Sequence, residues 1–240
     1  MCGRYSIAVE PALLEERFGA HFGATLSGDI VPRYNAAPSQ MLPVILNADP
    51  GHIVFSRWGI APAWMSRLSG KDGLINVRFE TLRDRPTFRA DLASRRCLIL
   101  ADGFYEWSRG NMVREYSPLP SVARDFTPRT SSIEQKESRL EAVPRSKRKV
   151  PYRITRADGE AFAFAGIWEE DSDKGASPRF AIITTAADAF MQPIHSRMPV
   201  ILDVDEERAG LSVMESFPIS CGSWRRRTPL RCALIKFRTR

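Results

Sequence analysis

RCLILADGFYEW (Arg96–Trp107) is the stretch on which the reading of the fold turns. Its first half, Arg96–Ala101, is a short apolar run of the kind that forms a fully buried strand. Asp102 and Gly103 then make a bend, and Phe104–Trp107 follows with a glutamate set between aromatic residues. A chain that buries such a segment needs other strands to pack against it.

Those strands are legible on both sides. RFAIITTAA (179–187) is a second core strand and RMPVIL (197–202) a short one. LPVILN (42–47) and HIVFSRW (52–58) read as strands, with Asp49-Pro50-Gly51 as the turn between them. PYRITRADGEAFAFAGIW (151–168) places β-branched and aromatic residues on either side of ADGE, which predicts a hairpin. Helical spacing is confined to Glu10–Ala20, through Leu13, Leu14 and Phe18, and to a short segment at Arg89–Arg96. The class expected is α+β with a strand-built core.

Two stretches break the rhythm. Residues 109–150 hold four prolines, many Ser, Arg and Glu, and RSKRK at 145–149, and read as a flexible insertion. Residues 206–240 form a basic tail without clear amphipathicity. The reading is therefore one domain over 1–205, an insertion at 109–150, and the tail.

The 240 residues carry a net charge of +7. Residues 222–240 account for all of it, 109–150 add +5, and the rest of the chain is −5. A phosphate-binding face must therefore be a local cluster on a mildly acidic body. No apolar run reaches the roughly 20 residues that span a bilayer. Glu10–Phe18 carries three glutamates and is no signal peptide. Cys2, Cys97, Cys221 and Cys232 have no metal-ligand spacing, so the expectation is reduced thiols in the cytoplasm, with no metal and no cofactor.

Four places hold residues suited to chemistry. Cys2 follows Met1, and termini are usually exposed. Removal of Met1 would leave a 1,2-aminothiol whose amine and thiol both titrate near neutral pH. Such a group serves either as an N-terminal nucleophile for amide hydrolysis or as a trap that condenses with an aldehyde to a thiazolidine. In INVRFETLRD (75–84), an extended backbone would put Asn76, Arg78 and Glu80 on one face, suited to a phosphate or an oxygen-rich ligand. Glu106 stands at the end of an apolar strand and could move protons. His195 and Arg197 lie just before another strand, and histidine is the usual acid–base group near neutral pH. Taken alone, a structural role is as good a reading for Cys2, and the better one for the 75–84 face and for His195.

Together they are more specific. MCGRY (1–5), RYNAAPSQ (33–40), WGIAPAWM (58–65), INVRFETL (75–82), RCLILADGFYEW (96–107), FAFAGIWE (162–169), ITTAA (183–187) and HSRMPVIL (195–202), in this order, closely resemble the SOS response-associated peptidase family. The resemblance covers roughly 1–108 and 150–203. It implies a mixed or antiparallel, barrel-like β core with a few peripheral helices. It also implies capture of abasic sites in single-stranded DNA, with Cys2 forming a thiazolidine crosslink after Met1 is lost. Asn76 would orient the amine and the sugar, Glu106 would handle protons, and His195 would assist ring opening and crosslink reversal. Arg4, Arg78 and Arg197 would contact phosphates, and Trp58 or Trp64 would wedge or stack against bases. The implied activities are autopeptidase-like and lyase-like, in a monomer working at damaged DNA of the nucleoid. Val77 replaces the alanine usual in the family, and the tail departs from the family pattern.

Two alternatives stay open. Class II glutamine amidotransferases also begin Met-Cys-Gly, so an N-terminal-nucleophile amidohydrolase fits the first three residues. A non-covalent single-strand-binding module would leave Cys2 incidental.

Overall fold

The computed structural model describes residues 2–23, 31–61, 73–84, 86–109, 149–171, 177–211 and 230–234. The insertion expected at 109–150 lies outside them except at its two ends, as does most of the tail.

The architecture is α+β, as expected. One sheet holds five strands in the order β14 (Leu230–Leu234), β9 (Lys149–Arg156), β8 (Gly103–Arg109), β1 (Tyr5–Ile7) and β3 (Arg33–Ala36). The second runs β12 (Arg197–Pro199), β11 (Arg179–Ala186), β10 (Phe162–Glu169), β7 (Arg96–Ala101), β4 (Met41–Leu46), β5 (Asp49–Trp58) and β2 (His21–Phe22). Two further strands, β6 (Asn76–Arg78) and β13 (Ile201–Leu202), pair with β11 and β10. Arg57 and Trp58 of β5 also pair in parallel with Arg179 and Phe180 of β11, so five strands of this sheet return on themselves. That closure gives the core its barrel-like character. Helices α1 (Pro11–Phe18), α2 (Phe79–Asp84), α3 (Pro86–Ser94) and α4 (Val204–Leu211) lie around it. Among the described residues no helix is long and apolar enough to cross a membrane.

The opening stretch explains the division into two sheets. Every residue of β7 is buried, and its neighbours β4 and β10 cover both its edges. At Asp102 the chain leaves this sheet, and β8 enters the other between β1 and β9. The predicted hairpin at 151–168 breaks in the same manner. Its turn is present, with Gly159 at φ 81° and an Arg156–Asp158 ion pair of 2.6 Å. Yet β9 pairs with β8 and β14, while β10 pairs with β7, β11 and β13. Burial decides this. Phe162–Trp168 is buried throughout and needs strands on both edges inside the core, whereas Ile154 is the one fully buried residue of β9.

Two smaller expectations also change. Leu46 pairs with Asp49, so the β4–β5 turn falls at Asn47–Ala48 and Asp49–Gly51 belongs to the strand. Asn47 fixes that position, because its Oδ1 accepts bonds from Arg96 N–H and Trp168 Nε1–H. In 75–84 the extended backbone ends at Arg78, so Glu80 stands on α2 and not on a strand face with Asn76.

Aromatic rings fill the space between the sheets. Trp58 lies parallel to Phe180 at 6.2 Å and touches Tyr5 at 5.2 Å, and Phe164 meets Tyr5, Phe104 and Phe162 edge-on. Gly166 of β10 sits where no side chain fits. A Cβ there would lie 2.6 Å from Ile99 Cδ1 and 2.7 Å from Cys97 Sγ. Gly166→Ala is expected to lower stability by about 1–3 kcal/mol through overpacking, read as a lower urea midpoint with an unchanged slope.

The segment expected to be a tail contributes two elements. Helix α4 runs across residue 205 and is tied down by Arg17, which donates to both oxygens of Glu207 at 2.9 and 3.0 Å. Arg96 Nε donates to Gly210 O at 2.9 Å. β14 pairs with β9 from Leu230↔Arg156 to Leu234↔Tyr152.

Candidate active site

Strand β1 is short, but it is gripped on both edges. Tyr5 and Ser6 pair with Phe104 and Gly103 of β8, and Tyr105 N–H donates to Arg4 O at 2.9 Å. The chain before β1 thus stays beside β8, and Cys2 lies close enough to Glu106 to feel its charge. Asn76 Nδ2–H, at the start of β6, donates to Cys2 O at 2.9 Å. The thiol is 3.6 Å from Arg4 O.

Cys2 is fully buried. Exposure was expected for a residue so near the terminus, and the bond from Asn76 together with the grip of β8 and β3 on β1 is the physical reason it is enclosed. Burial pushes the thiol well above the usual range, and the nearby Glu106 charge adds to that shift.

Glu106 is itself 3% exposed and faces inward from β8, opposite Tyr152 of β9. His195 is half-buried on the turn that leads into β12. Its Nδ1 is 3.0 Å from both the N–H and the C=O of Arg197. Either tautomer is therefore held by the same backbone, which fixes the ring and leaves Nε2 as its other polar atom. Glu106 and His195 line one open cleft of about 650 Å³, together with Trp107, Lys149 and the turn at Gln192–Ser196. Among the described residues no group of His, Cys, Asp and Glu is placed to hold a metal ion.

The family model described as SOS response associated peptidase (SRAP) matches residues 1–125 and 140–218. This chain belongs to the SRAP family. It is 33% identical over 221 residues to the abasic site processing protein YoqW of Bacillus subtilis (strain 168), across 91% of this chain and 83% of that protein. It is 27% identical over 237 residues to the abasic site processing protein HMCES of Xenopus tropicalis, across 86% of this chain and 64% of that protein. The same fold occurs in a crystal structure from Bacteroides thetaiotaomicron, with TM-score 0.70 and 21% identity over 98% of this chain and 92% of that one. A Bordetella bronchiseptica structure matches with TM-score 0.67 and 23% identity, over 98% of this chain and all of the other.

The residues assigned to DNA contact in this SRAP chain divide. Trp58 is fully buried, and its Nε1–H donates to Ile75 O at 2.9 Å. It has no face to offer a base, so the wedge role expected of it gives way to a core role. Trp64 lies outside the described residues. Arg197 donates to both oxygens of Glu80 at 2.8 and 3.0 Å and to Thr184 O at 2.7 Å. These bonds hold the Glu80 carboxyl below its usual range and commit the guanidinium that was assigned to phosphate. Arg4 donates to Asn35 Oδ1 at 3.1 Å. Arg78 is exposed at the end of β6, beside a buried Val77. Val77 therefore points away from Asn76 and Arg78, as period-two alternation requires.

Sequence reasoning passed over Trp107, and took Lys149 only as the end of the RSKRK run, a DNA-contacting patch or, more commonly, a solvated charge run. Trp107 is 37% exposed on the cleft, and its place directly after Glu106 was the available signal. Lys149 enters through the Arg109↔Lys149 pair, which links residues forty apart and leaves no local trace.

Proposed function

We propose that this protein captures abasic sites in single-stranded DNA as a covalent thiazolidine at Cys2. The observation that carries the reading is the meeting of Cys2, Asn76 and Glu106 beside a cleft that Glu106 shares with His195. The curated relatives are named for abasic site processing, which supports the same substrate.

The steps follow from the groups present. Loss of Met1, by this chain or by an aminopeptidase, frees the Cys2 amine. His195 gives a proton to the sugar ring oxygen as its bond to C1 breaks, the C1 hydroxyl gives up its proton to water, and the closed sugar opens to its aldehyde. The amine adds to that carbon, and the adduct loses water as Glu106 protonates the departing hydroxyl. Sγ then adds to the imine carbon, and the thiol proton passes to nitrogen. One water leaves for each crosslink formed. Burial raises the thiol above its usual range, which favours attack by the amine first and by sulfur second. The same burial opposes the thiolate that amide hydrolysis would need, which separates this reading from a glutaminase. Reversal runs the same steps backwards, with His195 and Glu106 as proton carriers: the C–S bond opens to the imine, one water adds to that carbon, and the amine departs to leave the aldehyde.

The test is one denaturing gel. Met1-processed protein mixed with a single-stranded oligonucleotide carrying one abasic site should give a shifted band, and glutamine should not be hydrolysed. No band from fully processed protein overturns the proposal.

Arg78, exposed two residues after Asn76 on β6, is assigned to a phosphate beside this site. Arg78→Ala should weaken binding to an intact single strand and reduce the slope of log K against log salt by roughly 0.7, the value for one lost phosphate contact. Fluorescence anisotropy over a salt series checks it.

A further inference from the structure

Asp102, at the bend that carries the chain from one sheet to the other, is 8% exposed and has a polar neighbour on each oxygen. Oδ1 accepts from Ser6 Oγ at 2.5 Å and from Arg153 Nη2 at 2.8 Å. Oδ2 accepts from Ala8 N–H at 2.7 Å. Its own N–H donates to Ser6 O at 2.9 Å. Arg153 also donates to Ser6 Oγ, from Nε at 3.2 Å and Nη2 at 3.0 Å. Ser6 is fully buried. Gly103 makes room for this arrangement, because a Cβ there would lie 2.8 Å from Arg153 Nε.

None of these three side chains reaches the cleft, yet all bear on Cys2. Strand β1 has three residues and two register pairs with β8. A slip of one residue would exchange the two faces of this strand, buried on both, and carry Cys2 about 3.3 Å along β8. Asp102 opposes that slip, because the Ser6 hydroxyl and the Ala8 amide reach its two oxygens together in one register.

We infer that Asp102, with Ser6 and Arg153, is a positioning device that sets the register of β1 on β8 and so holds Cys2 against Glu106. The inference rests on the aldehyde-capture reading for its consequence in chemistry, but not for its geometry. Charge-assisted bonds of this kind are the strong ones, and a carboxylate that accepts from both a guanidinium and an amide cannot be copied by an amide side chain.

The experiment uses Met1-processed full-length protein with Asp102→Asn and, separately, Ser6→Ala. Two quantities are read. One is the single-turnover crosslinking rate on saturating abasic oligonucleotide, alongside the oligonucleotide concentration giving half that rate. The other is the rate at which iodoacetamide labels Cys2 and Cys97, resolved by peptide mass spectrometry. Cys97 is a buried thiol of β7, held by the pairing of its own strand with β4 and β10. Asp102→Asn should slow crosslinking about tenfold with the half-saturating concentration unchanged, and should speed labelling of Cys2 about tenfold with Cys97 unchanged. Ser6→Ala should move both in the same directions by less. Labelling that rises at both cysteines together marks general loosening and overturns the inference, as does labelling that rises at neither. If Asp102→Asn does not fold, Ser6→Ala decides by the same two readings. If the parent protein forms no crosslink, the capture reading falls, and the Cys2-to-Cys97 labelling ratio still tests the register.

Discussion

Cys2→Ala protein forms no shifted band with an abasic oligonucleotide, at any protein concentration or time. The loss is complete because the substitution removes the sulfur that closes the ring, and an imine left alone is hydrolysed. The variant should fold, since Ala is smaller than Cys, and the Asn76 bond goes to the backbone carbonyl of residue 2, which alanine retains. It should still bind an intact single strand as the parent does. Protein carrying an extra residue before Cys2 is expected to behave the same way for a different reason, because its amine is acylated and cannot attack. Denaturing gels score the covalent product, and anisotropy on the intact strand scores binding. A Cys2→Ala protein that still crosslinks would move the chemistry to another amine, and Lys149 in the cleft is the first to examine.

Trp58→Ala should be the most damaging single change to the fold. The side chain is fully enclosed, stacks on Phe180 and touches Tyr5. Truncating a buried tryptophan costs about 3–5 kcal/mol. Ile75 O also loses the indole donor. Domain stabilities are about 5–15 kcal/mol, so this loss takes a large share of the total. Trp58→Phe keeps most of the volume and should recover much of the stability. Urea unfolding compares the variants, and binding to an intact strand should follow the folded fraction. A stable Trp58→Ala protein with a selective loss of DNA binding would return the residue to the wedge role.

The core strands were readable because burial on both faces leaves a continuous apolar run, as in RCLILA and FAFAGIW. Their partners were harder. ADGE is good turn chemistry and does make a turn, but a turn does not state which sheet each flanking strand joins. That choice depends on total burial along β9 and β10. Helix α2 was missed for a similar reason. It is six residues long and follows directly on β6, too short for helical spacing to stand out.

The four residues assigned to chemistry were found by residue type and by resemblance. Their environments were not. Cys2 looked exposed from its position in the chain, and only the pairing of β1 reveals that it is enclosed. Arg197 looked like a free cation, because Glu80 was expected on a strand face shared with Asn76. Asp102 and Arg153 are 51 positions apart, and nothing local to either marks the other.

The residues assigned to the chemistry with Cys2 lie far from it in the order of synthesis. Asn76 and Glu106 follow it by most of half the chain, and His195 comes near the end. A ribosome adding roughly 5–20 residues per second needs about 10–40 seconds to travel from Cys2 to His195. Throughout that interval the leading end of the nascent protein has no cleft around it. Any enzyme that trims Met1 therefore has its opportunity during translation, before Cys2 is enclosed.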